Sequence, residues 1–183
     1  RKTGERLYLR GYEPAGKPAY RYGWDTPLLV SRHDHKRLYQ GANLVLRSDD
    51  RGESWREISP DLTRGVPKGF HRLMGRSWSI DDMVSMGDLA ILTTVEESPV
   101  DEKRLYAGSG DGLLHYTHDG GATWRAAVLP GLPSHARVHQ VTASPVNADV
   151  AYAACNNFFA GDYAPYVYKT TDFGQSWTSL ATP

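Results

Sequence analysis

The sequence is short of the features that most readily announce a partner or a cofactor. It has a single cysteine, Cys155, so an intramolecular disulfide is excluded. Neither sign of charge is in excess: 21 Lys and Arg balance 21 Asp and Glu. A nucleic-acid binder usually carries a basic surplus that neutralises phosphates, so the balance argues against such a partner. There is no acidic or basic tail. The longest apolar runs, Leu28 to Val30 and Val150 to Cys155, are far too short to cross a bilayer, and no membrane-spanning segment is expected. The chain begins at Arg1 with neither an initiator Met nor a signal peptide, which leads us to expect a fragment or a processed piece.

What the 183 residues hold is 18 Gly, 11 Pro, 11 Tyr and 5 Trp, a composition that leans toward strands and turns. One eight-residue segment occurs three times: Ser48 to Trp55, Thr117 to Trp124 and Thr170 to Trp177. All three copies read hydroxyl, any, Asp, any, Gly, any, hydroxyl, Trp. The invariant positions are Ser48, Asp50, Gly52 and Trp55, then Thr117, Asp119, Gly121 and Trp124, then Thr170, Asp172, Gly174 and Trp177. Each box sits between two strand-like runs and is read as a hairpin loop. Its Asp can accept backbone N–H groups, its Gly can supply a positive φ, and its Trp can bury a ring between neighbouring sheets. A calcium loop is the sharper alternative, but the alternating acidic ligands it needs are missing. Three equivalent sites also suit a scaffold better than one converging catalytic set.

The tryptophans recur at intervals of 69 and 53 residues. A period near 50 with four strands per period is the signature of propeller blades. The first repeat runs through Thr26 to Ser31, Lys36 to Gln40, Ala42 to Arg47 and Ser54 to Ile58. The second runs through Ala90 to Val95, Lys103 to Ala107, Leu113 to Thr117 and Trp124 to Val128. The third starts at Val138 and continues through Asp149 to Ala154 and Tyr166 to Thr170. The expected fold is therefore all-β: β-propeller blades of four antiparallel strands with box hairpins, incomplete in this chain because propellers close with roughly four to eight blades. Residues 1–24 are expected to end a preceding blade, with a strand at Arg6 to Arg10. Blades then span 25–60, 90–130 and 131–183. Residues 61–89 form an insertion containing Phe70, Met74, Trp78 and Asp81-Asp82.

The box resembles the Asp-box, or BNR repeat, of sialidases, sortilin and xyloglucan-degrading propellers. Tyr20 to Leu29, Trp55 to Thr63 and Pro165 to Asp172 extend the resemblance to large bacterial sortilin-like BNR proteins, often labelled glycosyl hydrolases. The resemblance implies a secreted, periplasmic or envelope location, boxes on the outer rim, and a binding or scaffold role toward a protein or peptide partner. It implies as partners the remaining blades of a parent chain or other subunits, with a peptide or glycan as ligand and no cofactor.

Propeller ligands normally bind at the channel, lined by the innermost strands. That places Trp24, Thr93, Thr94, His139 and Gln140 as ligand-face candidates. A glycosidase needs two carboxylates about 5 to 10 Å apart, and Asp25 with Glu96 or Glu97 is the pair to consider. The plainer reading makes these solvated strand-end charges. A sialidase would need three arginines on a carboxylate, yet Arg21, Arg72, Arg76 and Arg137 show no triad spacing. The seven histidines offer no metal motif, and no metal is expected. Cys155 is read as a buried thiol, and Gly108 to Gly112 as a turn between strands.

Overall fold

Short apolar runs punctuated by turn residues give twelve strands in this computed structural model, which describes residues 8–66, 73–79 and 87–181. Blade 1 is β1 (Leu28–Val30), β2 (Leu38–Gly41), β3 (Val45–Ser48) and β4 (Arg56–Glu57). Blade 2 is β5 (Leu92–Glu97), β6 (Leu105–Ser109), β7 (Leu114–Thr117) and β8 (Arg125–Ala127). Blade 3 is β9 (Arg137–Ala143), β10 (Ala151–Asn157), β11 (Asp162–Thr170) and β12 (Thr178–Ser179). Each is a four-stranded antiparallel sheet in which sequential strands are neighbours. The chain is thus all-β, with three open propeller blades. The first strands of successive blades meet, β1 against β5 and β5 against β9, and define the inner side.

Side chains alternate across each sheet, so every blade has two faces to cover. Leu29, Tyr39, Val45 and Ile58 of blade 1 pack against Leu92, Val95, Leu105 and Ala107 of blade 2. Tyr106, Leu114 and Tyr116 of blade 2 pack against Val138, Val141, Ala153, Phe173 and Trp177 of blade 3. Burying one such large side chain contributes about 1.5 to 3 kcal/mol, so the two seams are the main source of cohesion. Cys155 lies in the second seam, and burial pushes its thiol up to about 12.

The boxes close the hairpins between third and fourth strands by one repeated scheme. Ser48 Oγ donates to Asp50 Oδ1 at 2.7 Å and accepts the Gly52 N–H at 2.8 Å. Asp50 then accepts the Ser54 N–H, four residues ahead, and the Ser54 hydroxyl. Thr117, Asp119 and Thr123 repeat the set, as do Thr170, Asp172 and Ser176. Two successive residues take positive φ in every box: Arg51 and Gly52, Gly120 and Gly121, Phe173 and Gly174. The glycine is required at the second position by contact as well as by φ. A Cβ on Gly121 would stand 2.7 Å from the Ile58 carbonyl oxygen of blade 1, which also accepts the Trp124 indole N–H at 2.8 Å.

The expected strand at Arg6 to Arg10 is corrected in part: Tyr8 to Arg10 form no strand, and residues 1–7 lie outside the described residues. Residues 8–23 instead run as an irregular strap over the outer face of blade 1. Tyr20 and Tyr22 join Ala42, Leu44, Leu46 and Trp55 in one apolar cluster. Gly11 N–H donates to Gln40 Oε1 at 2.9 Å, and the Tyr20 hydroxyl donates to Glu57 at 2.6 Å. The strap has no alternation to pair as a strand, because Pro, Gly and Lys interrupt it between Tyr12 and Tyr20. Blade 3 also departs from expectation. Its central hairpin runs on to Asn157 and Asp162 around a one-turn 3-10 helix, Phe158–Ala160. Phe70, His71, Arg72, Asp81 and Asp82 lie outside the described residues.

Two outcomes follow from the boxes. Gly120→Ala meets only its φ of 72° and should cost about 1 kcal/mol in chemical denaturation, whereas Gly121→Ala also strikes the Ile58 carbonyl and should cost clearly more, about 2 to 3 kcal/mol. Hydrogen bonds from the Ser54 side chain and backbone hold the Asp50 carboxyl down at about 2, and those from Thr123 and Ser176 lower Asp119 and Asp172. A carboxylate depressed by folding stabilises fully above its unfolded pKa, near ~4, and loses that contribution as pH falls through the folded value. The melting temperature should therefore drop as pH falls from ~4 to ~2, and Asp50→Asn should flatten that drop.

Candidate functional site

On the inner side, the strap ends in a turn at Trp24 and Asp25 that brings the Asp25 carboxylate to blade 3. The Thr26 hydroxyl donates to the Gly23 carbonyl at 2.9 Å and accepts the Gly23 N–H at 3.2 Å, which fixes the turn. Trp24 stands almost free of the protein, 90% exposed. Asp25 reaches Arg137, the first residue of β9, with 2.8 Å between Oδ2 and the guanidinium. The Arg137 Nε is buried with no hydrogen-bond partner among the described residues, as is Oδ1 of Asn156, its partner across β9 and β10.

A cavity of about 80 Å³ lies between these groups. Trp24, Asp25, Asp88, Thr93, Arg137 and Phe159 are among its lining residues. Phe159 comes from the one-turn helix in blade 3 and stacks on Phe158 with ring centres 4.2 Å apart. Its carbonyl accepts the Met74 N–H at 2.5 Å, which ties the insertion to blade 3. Met74, Trp24 and Phe158 are all exposed. The site is thus a small pocket of mixed polar and apolar lining with exposed apolar groups beside it, drawn from the strap, the insertion and blades 2 and 3.

The other candidates fall elsewhere. Glu97, only 2% exposed, is a seam residue between blades 1 and 2. It accepts from the Ser31 hydroxyl at 2.7 Å, the Tyr39 hydroxyl at 2.8 Å and the Arg32 N–H at 3.1 Å. Glu96, the next residue along the strand, accepts the Ala143 N–H of blade 3 at 3.3 Å, and burial raises its pKa. Thr94 Oγ1 accepts the Val141 N–H in the same seam. The Thr93 hydroxyl donates toward the Gly108 and Val138 carbonyls while lining the pocket. His139 is exposed, and Gln140 lies on the outer face of blade 3 beside Thr142. The structure therefore brings Trp24, Asp25 and Thr93 together and disperses Thr94, Glu96, Glu97 and Gln140.

Arg21 is committed to Asp61, Thr63 and the Ala90 carbonyl, and Arg76 lies over the Trp78 ring, so neither joins Arg137. Sequence reasoning missed Arg137 and Phe159 as pocket residues. Arg137 could have been found as the residue just before the expected third inner strand; Phe158-Phe159 stood in an apparent loop with no periodic signal. A larger cleft of about 670 Å³ opens near the box of blade 2. Two of its cations, Arg37 and Arg47, pair with Asp49 and, for Arg37, Glu102. Among the described residues no group of three His, Cys, Asp or Glu side chains converges as a metal site.

Comparison with known proteins agrees with this architecture. The BNR/Asp-box repeat family matches at residues 115–126, the blade 2 box and its flanks. No curated protein sequence matches the chain. An ancestral GH74 enzyme is similar in structure at 16% identity with a TM-score of 0.60, over 95% of this chain and 20% of that one. The GH74 xyloglucanase of Xanthomonas campestris is similar at 21% identity and 0.59, over 85% of this chain and 22% of that one. The GH74 enzyme of Niastella koreensis is similar at 19% identity and 0.51, over 84% and 21%. This chain spans about a fifth of the length of these structures, and at such identities the likeness is one of fold. The chain carries BNR/Asp-box repeats on β-propeller blades.

If Glu97 is a seam fastener, Glu97→Gln should destabilise the fold by about 1.5 to 3 kcal/mol in denaturant unfolding, the range for hydrogen bonds to a charged group. Asp25→Asn breaks an ion pair whose carboxylate is 66% exposed and should cost less than about 1 kcal/mol.

Proposed function

We propose that this chain is a non-catalytic binding or scaffold module of a larger extracytoplasmic propeller protein. It engages a protein or peptide partner through the inner face around Trp24. The observation that carries the reading is the separate commitment of the three carboxylates a hydrolase would draw on. Glu97 is consumed in the first seam, Glu96 is turned to the second, and Asp25 is paired with Arg137. Acid and base must flank one bond across a shared cleft, and these three groups serve three different tasks.

The rim of the pocket supports recognition. An indole that is 90% exposed beside an ion pair can anchor a partner through apolar contact while the charges orient it. One feature favours a carbohydrate-active hydrolase as the second reading: burial raises the Glu96 carboxyl, as a general acid requires.

Panning a displayed peptide library on the protein should select sequences whose binding is lost in Trp24→Ala at an unchanged melting temperature. Selected peptides that bind both proteins equally would remove Trp24 from the site. In a parallel glycan-turnover assay the wild type should be inactive. Turnover abolished by both Asp25→Asn and Glu96→Gln would decide for the hydrolase.

A further inference from the structure

The connection from blade 2 to blade 3 forms a second pocket, separate from the one beside Trp24. After β8 ends at Ala127 the chain turns twice. The Leu132 N–H donates to the Leu129 carbonyl at 3.3 Å, and the Ala136 N–H to the Pro133 carbonyl at 3.1 Å. Leu129 and Leu132 rest on the core of the second seam, so this wall is fixed from beneath. With Leu113 and Ala127 they line a cavity of about 290 Å³, and Val128, which also lines it, is 78% exposed. That volume stands near the lower end for ligand sites and suits one or two side chains.

One charged group stands among these apolar walls. Arg64, from the segment that leaves blade 1, lines the pocket and is held to the β6–β7 loop at two points. Its backbone N–H donates to Asp111 Oδ2 at 2.8 Å, and its Nε donates to the Asp111 carbonyl at 2.9 Å. Asp111 is 0% exposed and accepts the Ser109 hydroxyl at 2.6 Å, so the anchor is itself locked. Neither Nη of Arg64 has a partner among the described residues. A guanidinium fixed through its backbone and Nε keeps its two outer nitrogens for a carboxylate, in the planar fork that such pairs favour.

We propose that this pocket is a second peptide subsite, selective for an apolar side chain next to an acidic residue. The apolar side chain enters between Leu113, Leu129 and Leu132, and the neighbouring carboxylate pairs with the Arg64 guanidinium. Charge complementarity selects the acid, because Arg64 is the one charged residue among those described that line the pocket. The apolar walls select its neighbour, since filling them removes apolar surface from water. The same loop divides this pocket from the inner one: Gly110 lines the inner pocket beside Trp24, and Gly112 lines the outer. The subsite rests on the peptide reading of the inner face, since one extended chain crossing that loop fills both pockets.

The test pans a random displayed peptide library on the full chain and on its variants. Peptides selected on the wild type should carry Asp or Glu beside Leu, Ile, Phe or Val. They should bind Arg64→Gln roughly fivefold more weakly or worse, the scale of one exposed charge pair. Arg64→Glu should select Lys or Arg in place of the acid, which an arginine of purely structural role would not do. Val128→Asp changes an exposed side chain, so it should keep the melting temperature and still lose the selected peptides. That variant carries the test should the Arg64 variants melt lower. Binding lost in Trp24→Ala but kept in Arg64→Gln and Val128→Asp overturns the subsite and leaves the inner-face reading standing. Binding lost in those two but kept in Trp24→Ala does the reverse. Loss in all three supports both, and selection of no peptide above an unrelated protein overturns both. Selected peptides without the acidic and apolar pair overturn the subsite as well.

Discussion

A four-stranded antiparallel sheet with apolar residues on both faces cannot stand alone in water, and the rest of this structure follows from that constraint. Each blade packs on at least one neighbouring blade, so stability accumulates from seam to seam as in other repeat architectures. The strap over blade 1 answers the same need by irregular means. It brings Tyr20 and Tyr22 to a face that on the next two blades is covered by a sheet.

The two seams solve the same packing problem with different chemistry. In the first, the hydroxyl of the buried Tyr39 donates to Glu97, and Arg37 lies 3.8 Å from that carboxylate. In the second, Tyr106 holds the place of Tyr39, while Ala143 holds the place of Glu97. The Tyr106 hydroxyl is buried with no partner among the described residues. Burial raises the pKa of both phenols, so each stays protonated, but only one has an acceptor. The second seam compensates with apolar volume. Phe173 and Trp177 pack on Tyr106, and Arg104 bridges to Asp149 while lying over the Phe173 ring. Phe173 holds a positive φ of 63°, a cost sustained because the ring is locked in this cluster.

The inner pocket is assembled by the same geometry. The first strands converge where the blades meet, so turns far apart in the chain become neighbours. Trp24 and Asp25 arrive from the strap, Thr93 from β5, and Arg137 and Phe159 from blade 3. Exposed apolar groups stand around one ion pair there, while Glu96 and Glu97 are drawn into the seams.

The boxes were legible in the sequence because their chemistry is local. The hydroxyls, Asp and Gly act within eight residues, and each copy repeats the same hydrogen bonds among them whatever surrounds it, while the indole N–H stays within the box at Trp55 and Trp177 and reaches blade 1 at Trp124. The blade order followed from that spacing, since sequential antiparallel strands pair with their nearest neighbours in the chain. Side-chain partnerships across blades were not legible. Glu97 looked like a strand-end charge, yet it meets Ser31 across 66 residues; Asp25 meets Arg137 across 112. The strap was equally hidden, because Pro and Gly mark where a chain turns and not what it covers. By itself the sequence determined the repeated hairpin, because hydrogen bonds within a loop depend on neighbours in the chain. Only the tertiary structure decided which charges became seams and which remained at the surface, because burial depends on what the opposite sheet presents.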